Sequence, residues 1–213
     1  MSGAHLILPC RQFGPAFRAM AAEFHAAGET DWPHGAYAGD RRALDDLDGY
    51  IRAVADETLG VNLAPGRVAA TTWWLLVGER GHAAAAAARD GPDASGLGGG
   101  STAAGRLVGT LQLRHTLNEY LASEGGHIGF GIRPSERGKG HATRFLRLAL
   151  VEASRLGLQR VLLTCATTNT ASAAVIRKCG GVLEDARVSV RHPGETVQRY
   201  WIDLATFGAT AGE

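Results

Sequence analysis

The stretch that most constrains this chain is Gly126–Ala142, GHIGFGIRPSERGKGHA. Ile128, Phe130 and Ile132 alternate with small or polar residues, the period of a strand with one face on a core. Pro134 ends that strand because it offers no ladder donor. Arg137-Gly138-Lys139-Gly140 follows, and from His141 the pattern turns helical. A strand feeding a glycine-rich turn at a helix start presents free first-turn amides and the positive end of the helix dipole, which suits a phosphate. Gly138 and Gly140 let the backbone approach such a ligand with no β-carbon between, and Arg137 and Lys139 add two cations. A P-loop is excluded, because it needs glycine where Arg133 stands and Ser or Thr where Gly140 stands. The dinucleotide fingerprint is excluded too, needing glycine at Thr143 or at Pro134 according to register.

The rest of the chain alternates helices and strands around this stretch. His5–Cys10 is a short apolar run suited to a first strand, and Phe17, Met20, Ala21 and Phe24 share one face of a helix stopped near Gly28. A polar and aromatic loop, Glu29–Gly35, comes next. Leu44, Leu47, Tyr50, Ile51 and Val54 recur at helical spacing, predicting a second helix from about Arg41 to Leu59 with Asp40 as its N-cap. Its acids (Asp45, Asp46, Asp48, Asp56, Glu57) read as a solvated face, with attraction of an amine as the sharper alternative. Thr71–Val77 and Arg106–Arg114 are strands by their β-branched, aromatic and alternating residues. Between them, Gly78–Gly105 holds six consecutive alanines and then a glycine-, serine- and proline-rich run that cannot bury a face. It reads as an insertion in a hairpin, at about 78–105, within a single domain spanning residues 1–213.

After the glycine loop a helix runs from His141 to about Leu156, with Leu146, Ala149, Leu150 and Ala153 on its buried face and Gly157 at its end. Arg160–Ala166 is a nearly continuous apolar strand, as expected when both faces are covered. Strand, loop, helix and strand make a βαβ unit. A short helix containing Ala174–Ile176 follows Thr167–Thr170, and strands over Val182–Leu183, Arg187–Arg191 and Val197–Leu204 close the chain, the last two joined by a turn at His192–Glu195. The class is α/β, with a mostly antiparallel sheet.

Composition sets the remaining bounds. With 213 residues, 45% apolar, 20% charged and a net charge of +1, the chain suits one globular domain and gives no sign of nucleic-acid or membrane-surface binding. Cys10, Cys165 and Cys179 are odd in number and fit neither metal-ligand spacing nor a disulfide framework, so no metal is expected and a reduced, cytoplasmic setting is. No apolar stretch approaches the length of a membrane span.

Arg137, Gly140 and Ala142, read as Arg/Gln-x-x-Gly-x-Gly/Ala, resemble the coenzyme A pyrophosphate loop of the GNAT superfamily of acyl-CoA N-acyltransferases. Asn169-Thr170-Ala171-Ser172, followed by Ile176, Lys178 and Gly180-Gly181, is similar to that superfamily's Asn-x-x-Ser/Ala…Lys-x-Gly-Phe segment, with Gly181 in place of the aromatic. Arg114–Asn118, Gly125–Thr143 and Arg199–Ile202 resemble a branch of predicted bacterial acetyltransferases. The resemblance covers roughly Thr71 to Leu204, the insertion excepted, and the order of elements agrees with it.

The resemblance implies a GNAT-like sheet whose fourth and fifth strands splay apart around acetyl-CoA as co-substrate. Main-chain groups of Phe130, Gly131, Ile132 and Arg133 would hold the pantetheine. The amides of Arg137, Gly138, Lys139, Gly140, His141 and Ala142 would hold the pyrophosphate, and one amide beside a bulge near Phe130–Ile132 would polarise the thioester carbonyl. Asn169 and Ser172 would bond the pantetheine or its thioester end. The tyrosine that protonates the departing thiolate in many relatives is Ile176 here, leaving Tyr200 or water for that task. His127 ranks first as general base and His115 second, since an imidazole suits proton removal near neutral pH. Glu29, Asp31 and His34 occupy the loop where this fold meets acceptors. Cys165, on an apolar strand, reads as a core thiol. The activity implied is acetyl transfer to a small-molecule primary amine. The alternatives are a non-catalytic acyl-CoA-binding module and an acetyltransferase of protein or peptide N-termini. Adjacent Tyr200 and Trp201 cannot both face one core, which leaves room for a homodimer through the C-terminal strands.

Overall fold

A computed structural model describes residues 3–29, 42–78 and 105–207. Asp31, His34, Asp40 and nearly all of the 78–105 insertion lie outside them. Within them, seven strands are β1 (Ala4–Ile7), β2 (Ala70–Val77), β3 (Arg106–Arg114), β4 (Ile128–Ile132), β5 (Arg160–Ala166), β6 (Val182–Val188) and β7 (Thr196–Asp203). The helices are α1 (Gly14–Ala26), α2 (Arg42–Asp45), α3 (Leu47–Leu59), α4 (Glu119–Ser123), α5 (His141–Arg155), α6 (Thr170–Lys178) and α7 (Leu204–Phe207). The strands form two antiparallel sheets, β1-β2-β3-β4 and β5-β7-β6.

The first sheet carries a core on each face. Trp74 and Leu76 of β2 turn toward α1 and α3, where Phe17 stacks on Trp74 with ring centroids 4.7 Å apart and on Tyr50 at 5.3 Å. Leu75 turns the other way, joining Leu111, Leu113, Ile128 and the buried face of α5, which is Phe145, Leu146, Ala149, Leu150 and Ala153. The alternation within β3 is not continuous. Leu75 pairs with Gly109 and Leu76 with Leu107, so Val108 is the extra residue of a bulge. Leu107 therefore faces α1 and α3, while Val108, Leu111 and Leu113 face α5.

The expected second helix is broken in two. Asp46 stands between α2 and α3 as the N-cap, its side chain accepting from the Gly49 N–H at 2.8 Å. Short helix α4 is an addition to the predicted elements; Asn118 caps it by accepting from the Leu121 N–H at 2.9 Å. The two pieces predicted at Val182–Leu183 and Arg187–Arg191 are one strand that ends at Val188, and Leu204 opens α7 rather than ending β7.

Candidate active site

The two sheets meet at one place and part beyond it. The His127 N–H donates to the Leu162 carbonyl at 2.7 Å, and the Leu162 N–H donates to His127 Nδ1 at 2.9 Å. A β-carbon on Gly126 would lie 2.4 Å from the Leu162 carbonyl oxygen, so only glycine permits this approach. Past this junction β4 and β5 form no ladder. A cleft of about 420 Å³ opens there, with Ile128–Phe130 on one side and Leu163–Cys165, Asn169, Ser172 and Ile176 on the other.

The open edge of β4 exposes only alternate peptide groups. The Arg133 N–H donates to Val108 at 2.9 Å, and the Arg114 N–H donates to the His127 carbonyl at 2.7 Å, so these two β4-side residues turn toward β3. Period two then turns Gly129 and Gly131 the same way and leaves Phe130 and Ile132 facing the cleft. Of the four residues predicted to hold pantetheine, Gly131 and Arg133 thus point their peptide groups elsewhere. The bulge expected near Phe130–Ile132 is also not there, since the β3–β4 register runs unbroken from Leu113↔Ile128 to Gly109↔Ile132. What opens the sheet is the divergence after His127.

The glycine loop keeps its expected place. Pro134–Glu136 forms a 3-10 turn that takes the Arg137 N–H, and Gly138 (φ +75°) and Gly140 (φ +79°) adopt left-handed conformations. No side chain caps α5. The N–H groups of Gly138, Lys139, Gly140, His141, Ala142 and Thr143 find no acceptor among the described residues; Arg144, bonded to the Gly140 carbonyl, makes the first helical bond. Six successive donors beside a helix N-terminus fit a pyrophosphate. β-Carbons at Gly138 and Gly140 would meet nothing within 4 Å, so the space over the loop is open.

The loop's side-chain cations turn inward. Arg137 donates from Nε to the Ile132 carbonyl at 3.0 Å and pairs with Glu29 at 2.7 Å. Glu29 therefore braces the loop from the end of α1. Arg133 pairs with Glu23 at 2.6 Å, and the Ser135 N–H donates to the same carboxylate. The Arg133 hydrogen bond holds the Glu23 pKa down at about 2. Glu136 is buried among Arg106, Lys139 and His141. Burial pushes its pKa up, but the Lys139 hydrogen bond and the surrounding positive charges outweigh that and keep it ionised.

None of the three predicted catalytic side chains lines the cleft. Buried His127 accepts at Nδ1 from β5, and burial together with the Arg114 charge lowers its pKa to about 4. A lone pair already bonded on so weak a base is not a proton acceptor for an amine. His115 shares a hydrogen bond with Thr71 Oγ1 at 2.9 Å, and burial lowers its pKa also. Tyr200 is fully buried in the α5 core, donating to Gln198 at 2.9 Å and accepting from Arg177 at 3.1 Å. It is a core residue of β7, and Trp201 lies on the other side, its ring beneath the Arg160 guanidinium at 4.1 Å. Asn169 and Ser172 do line the cleft; the Asn169 side chain accepts from the Ser172 N–H at 3.0 Å, capping α6. Buried Ile176 fills the place of the usual tyrosine, and burial raises the Cys165 pKa, leaving a thiol.

The other wall holds residues that the sequence reading did not single out as a site. Glu57, 2% exposed, accepts from Gln112 at 2.9 Å and from Arg67 through two N–H groups. Arg114, Tyr120 and Arg191 complete that wall. Glu57 had a signal, since it continues the helical stripe of Tyr50 and Val54, an acid on a buried face. The remaining acids are outside the cleft: Asp46 caps α3, Asp48 pairs with Arg11 and Asp56 accepts from Asn62.

The family model for the acetyltransferase (GNAT) domain matches residues 41–182. No curated protein matches the sequence. Among solved structures, the ribosomal L7/L12 alpha-N-protein acetyltransferase RimL in complex with coenzyme A is similar at 16% identity and a TM-score of 0.59, covering 94% of this chain and 93% of that one. The microcin C7 self-immunity acetyltransferase MccE, in complex with acetyl-CoA and AMP, is 12% identical with a TM-score of 0.60, covering 94% and 92%. A variant of the spermidine N-acetyltransferase SpeG from Vibrio cholerae is 15% identical with a TM-score of 0.56, covering 98% and 99%. At these identities the likeness is one of fold, and it agrees with the family match. The chain belongs to the GNAT acetyltransferase family.

Proposed function

We propose that the protein moves an acetyl group from acetyl-CoA directly to a primary amine of a small molecule in a ternary complex. The observation that carries this reading is the run of six N–H groups from Gly138 to Thr143 with no acceptor among the described residues, beside the open edge of β4. Those N–H groups would hold the pyrophosphate, and the cleft-facing peptide groups of Phe130 and Ile132 would pair with the pantetheine. Asn169 and Ser172 would meet its thioester end. Relatives of the same fold support the donor, since RimL was solved with coenzyme A and MccE with acetyl-CoA.

Acetyl-CoA supplies an activated acyl group with a thiolate leaving group. The chain's part is to place the amine opposite it, to polarise the carbonyl and to handle two protons. The N–H of Phe130 or Ile132 is the donor available to the carbonyl oxygen. No histidine among the described residues lines the cleft, so the amine proton leaves to water at its open side. Ser172 and Tyr120 both line the cleft, and their hydroxyls would serve the departing sulfur.

The whole chain is read as one such domain, acting in the cytoplasm, where its three thiols stay free. No described helix is long and apolar enough to cross a membrane. A homodimer is supported by β6, an edge strand of its sheet whose Val182 and Val188 are 70% and 74% exposed. Titration calorimetry with acetyl-CoA and a coenzyme A release assay over an amine panel test the reading. Gly140→Val, which places a β-branched side chain at φ +79°, is expected to weaken acetyl-CoA binding at least tenfold. Tight binding of acetyl-CoA without turnover on any amine would leave a binding module instead.

A further inference from the structure

The charge of the cleft constrains the acceptor. Three guanidiniums, those of Arg67, Arg114 and Arg191, line it together with one carboxylate, Glu57. That carboxylate is already engaged, one oxygen by Arg67 and the other by Gln112. Arg114 is half-buried at the end of β3. Its Nη1 donates to the Gly125 and Gly126 carbonyls at 3.0 Å each, while Nε and Nη2 have no acceptor among the described residues. Arg67 likewise uses Nε and Nη2 on Glu57 and leaves Nη1. Burial, and then the charge of Arg67, lower the Arg114 pKa against the pull of Glu57 and Tyr120, so the two guanidiniums repel each other along the same wall.

Arg191 is brought there by a separate device. Glu124, at the end of α4, accepts from Ser189 Oγ at 2.8 Å and from the Val190 and Arg191 N–H groups at 2.9 and 3.3 Å. This anchors the β6–β7 connection over the cleft. At Arg114 and Arg67 the wall opposite the donor site presents planar forks whose remaining N–H donors have no acceptor among the described residues, the geometry that takes a carboxylate or phosphate in two-point fashion.

We infer that the acceptor is an amine bearing an oxyanion, a carboxylate or a phosphate, which Arg114 and Arg67 hold while the amine faces the donor thioester. This rests on the acetyltransferase reading and names its substrate class. In the transfer the amine nitrogen bonds the acetyl carbon, the carbon–sulfur bond breaks, one amine proton passes to water and the thiolate is protonated. The oxyanion takes no part in these bonds; it orients the amine and offsets the Arg67–Arg114 repulsion. A polycation meets the Arg114 guanidinium here and is disfavoured.

The test measures coenzyme A release, per neutral amine, for three matched pairs and one polyamine. The pairs are β-alanine and propylamine, L-phenylalanine and phenethylamine, and O-phosphoethanolamine and ethanolamine; the polyamine is spermidine. At least one acid is expected to exceed its uncharged partner about tenfold or more in kcat/KM, mainly through KM, with spermidine slowest. Whether β-alanine or O-phosphoethanolamine leads separates carboxylate from phosphate. Arg114→Gln is expected to reduce the acid-to-neutral ratio about tenfold. Because Arg114 also holds two carbonyls of the loop before β4, Arg191→Gln on the exposed connection provides a second variant, expected to lower the same ratio. Equal rates within every pair, or spermidine leading, would overturn the inference while leaving acetyl transfer intact. Acetyl-CoA binding with no turnover on any of the seven amines would overturn both.

Discussion

His127 makes folding stability depend on pH in a direction that a catalytic base would not. It is 7% exposed, and its Nδ1 accepts the Leu162 N–H, so the folded protein keeps the ring neutral down to about pH 4, against 6.5 for an ordinary histidine. A group with a lowered folded pKa contributes stability that is present above its unfolded value and is lost as pH falls through the window between the two. For His127 that window runs from 6.5 to about 4. At about 1.4 kcal/mol per pH unit the loss across it is about 3 kcal/mol. His127→Asn offers an oxygen near the position of Nδ1 but does not titrate, and should lack this loss. His127→Ala leaves the buried Leu162 N–H without an acceptor and should cost about 1–3 kcal/mol at every pH. Urea unfolding followed by tryptophan fluorescence, at steps from pH 7.5 to 4, gives the three curves. Parallel curves for wild type and His127→Asn, or an imidazole resonance of His127 titrating near 6.5, would refute the assignment of His127 as a neutral pin between β4 and β5.

Three further outcomes follow from the site. Glu23→Gln should destabilise by about 1–2 kcal/mol at neutral pH, because it breaks the half-buried pair with Arg133. As the Glu23 pKa lies near 2 when folded and 4.5 otherwise, the difference between wild type and variant should shrink as pH falls from 4.5 toward 2, read by the same unfolding assay. With no described histidine lining the cleft, kcat/KM should rise with pH until the acceptor's own amine titrates, with no limb near 6.5; a limb there would return His115 to the catalytic role. Ser172→Ala should lower kcat about tenfold or more at nearly constant acetyl-CoA affinity if its hydroxyl serves the departing sulfur, whereas an unchanged kcat would move that role to Tyr120 or water.

Much of this arrangement was legible because it depends on neighbours in sequence. Gly138 and Gly140 announce left-handed turns, the apolar stripe from Leu146 to Ala153 sets the face of α5, and Asn169 stands where a cap belongs. The surroundings of the candidate catalytic side chains were not legible because their orientation is set by pairings across the chain. His127 immediately precedes β4, but its ring turns to Leu162, 35 positions away. Tyr200 differs from Trp201 only in strand parity, and that parity becomes known once β7 is seated between β5 and β6. Glu57 sat in a run of acids that read as solvated, and its buried position required Arg67 and Gln112 to be seen beside it. The bulge at Val108 has no local marker, and it reverses the faces that simple alternation assigns to β3.

A crystal structure with bound coenzyme A tests the central claim most directly. The account predicts pyrophosphate oxygens within about 3 Å of N–H groups between Gly138 and Thr143, and pantetheine along the Phe130–Ile132 edge of the β4–β5 cleft. Its sulfur would point toward Ser172 and the arginine-lined wall. Coenzyme A bound elsewhere, with those six N–H groups still without an acceptor, would contradict it.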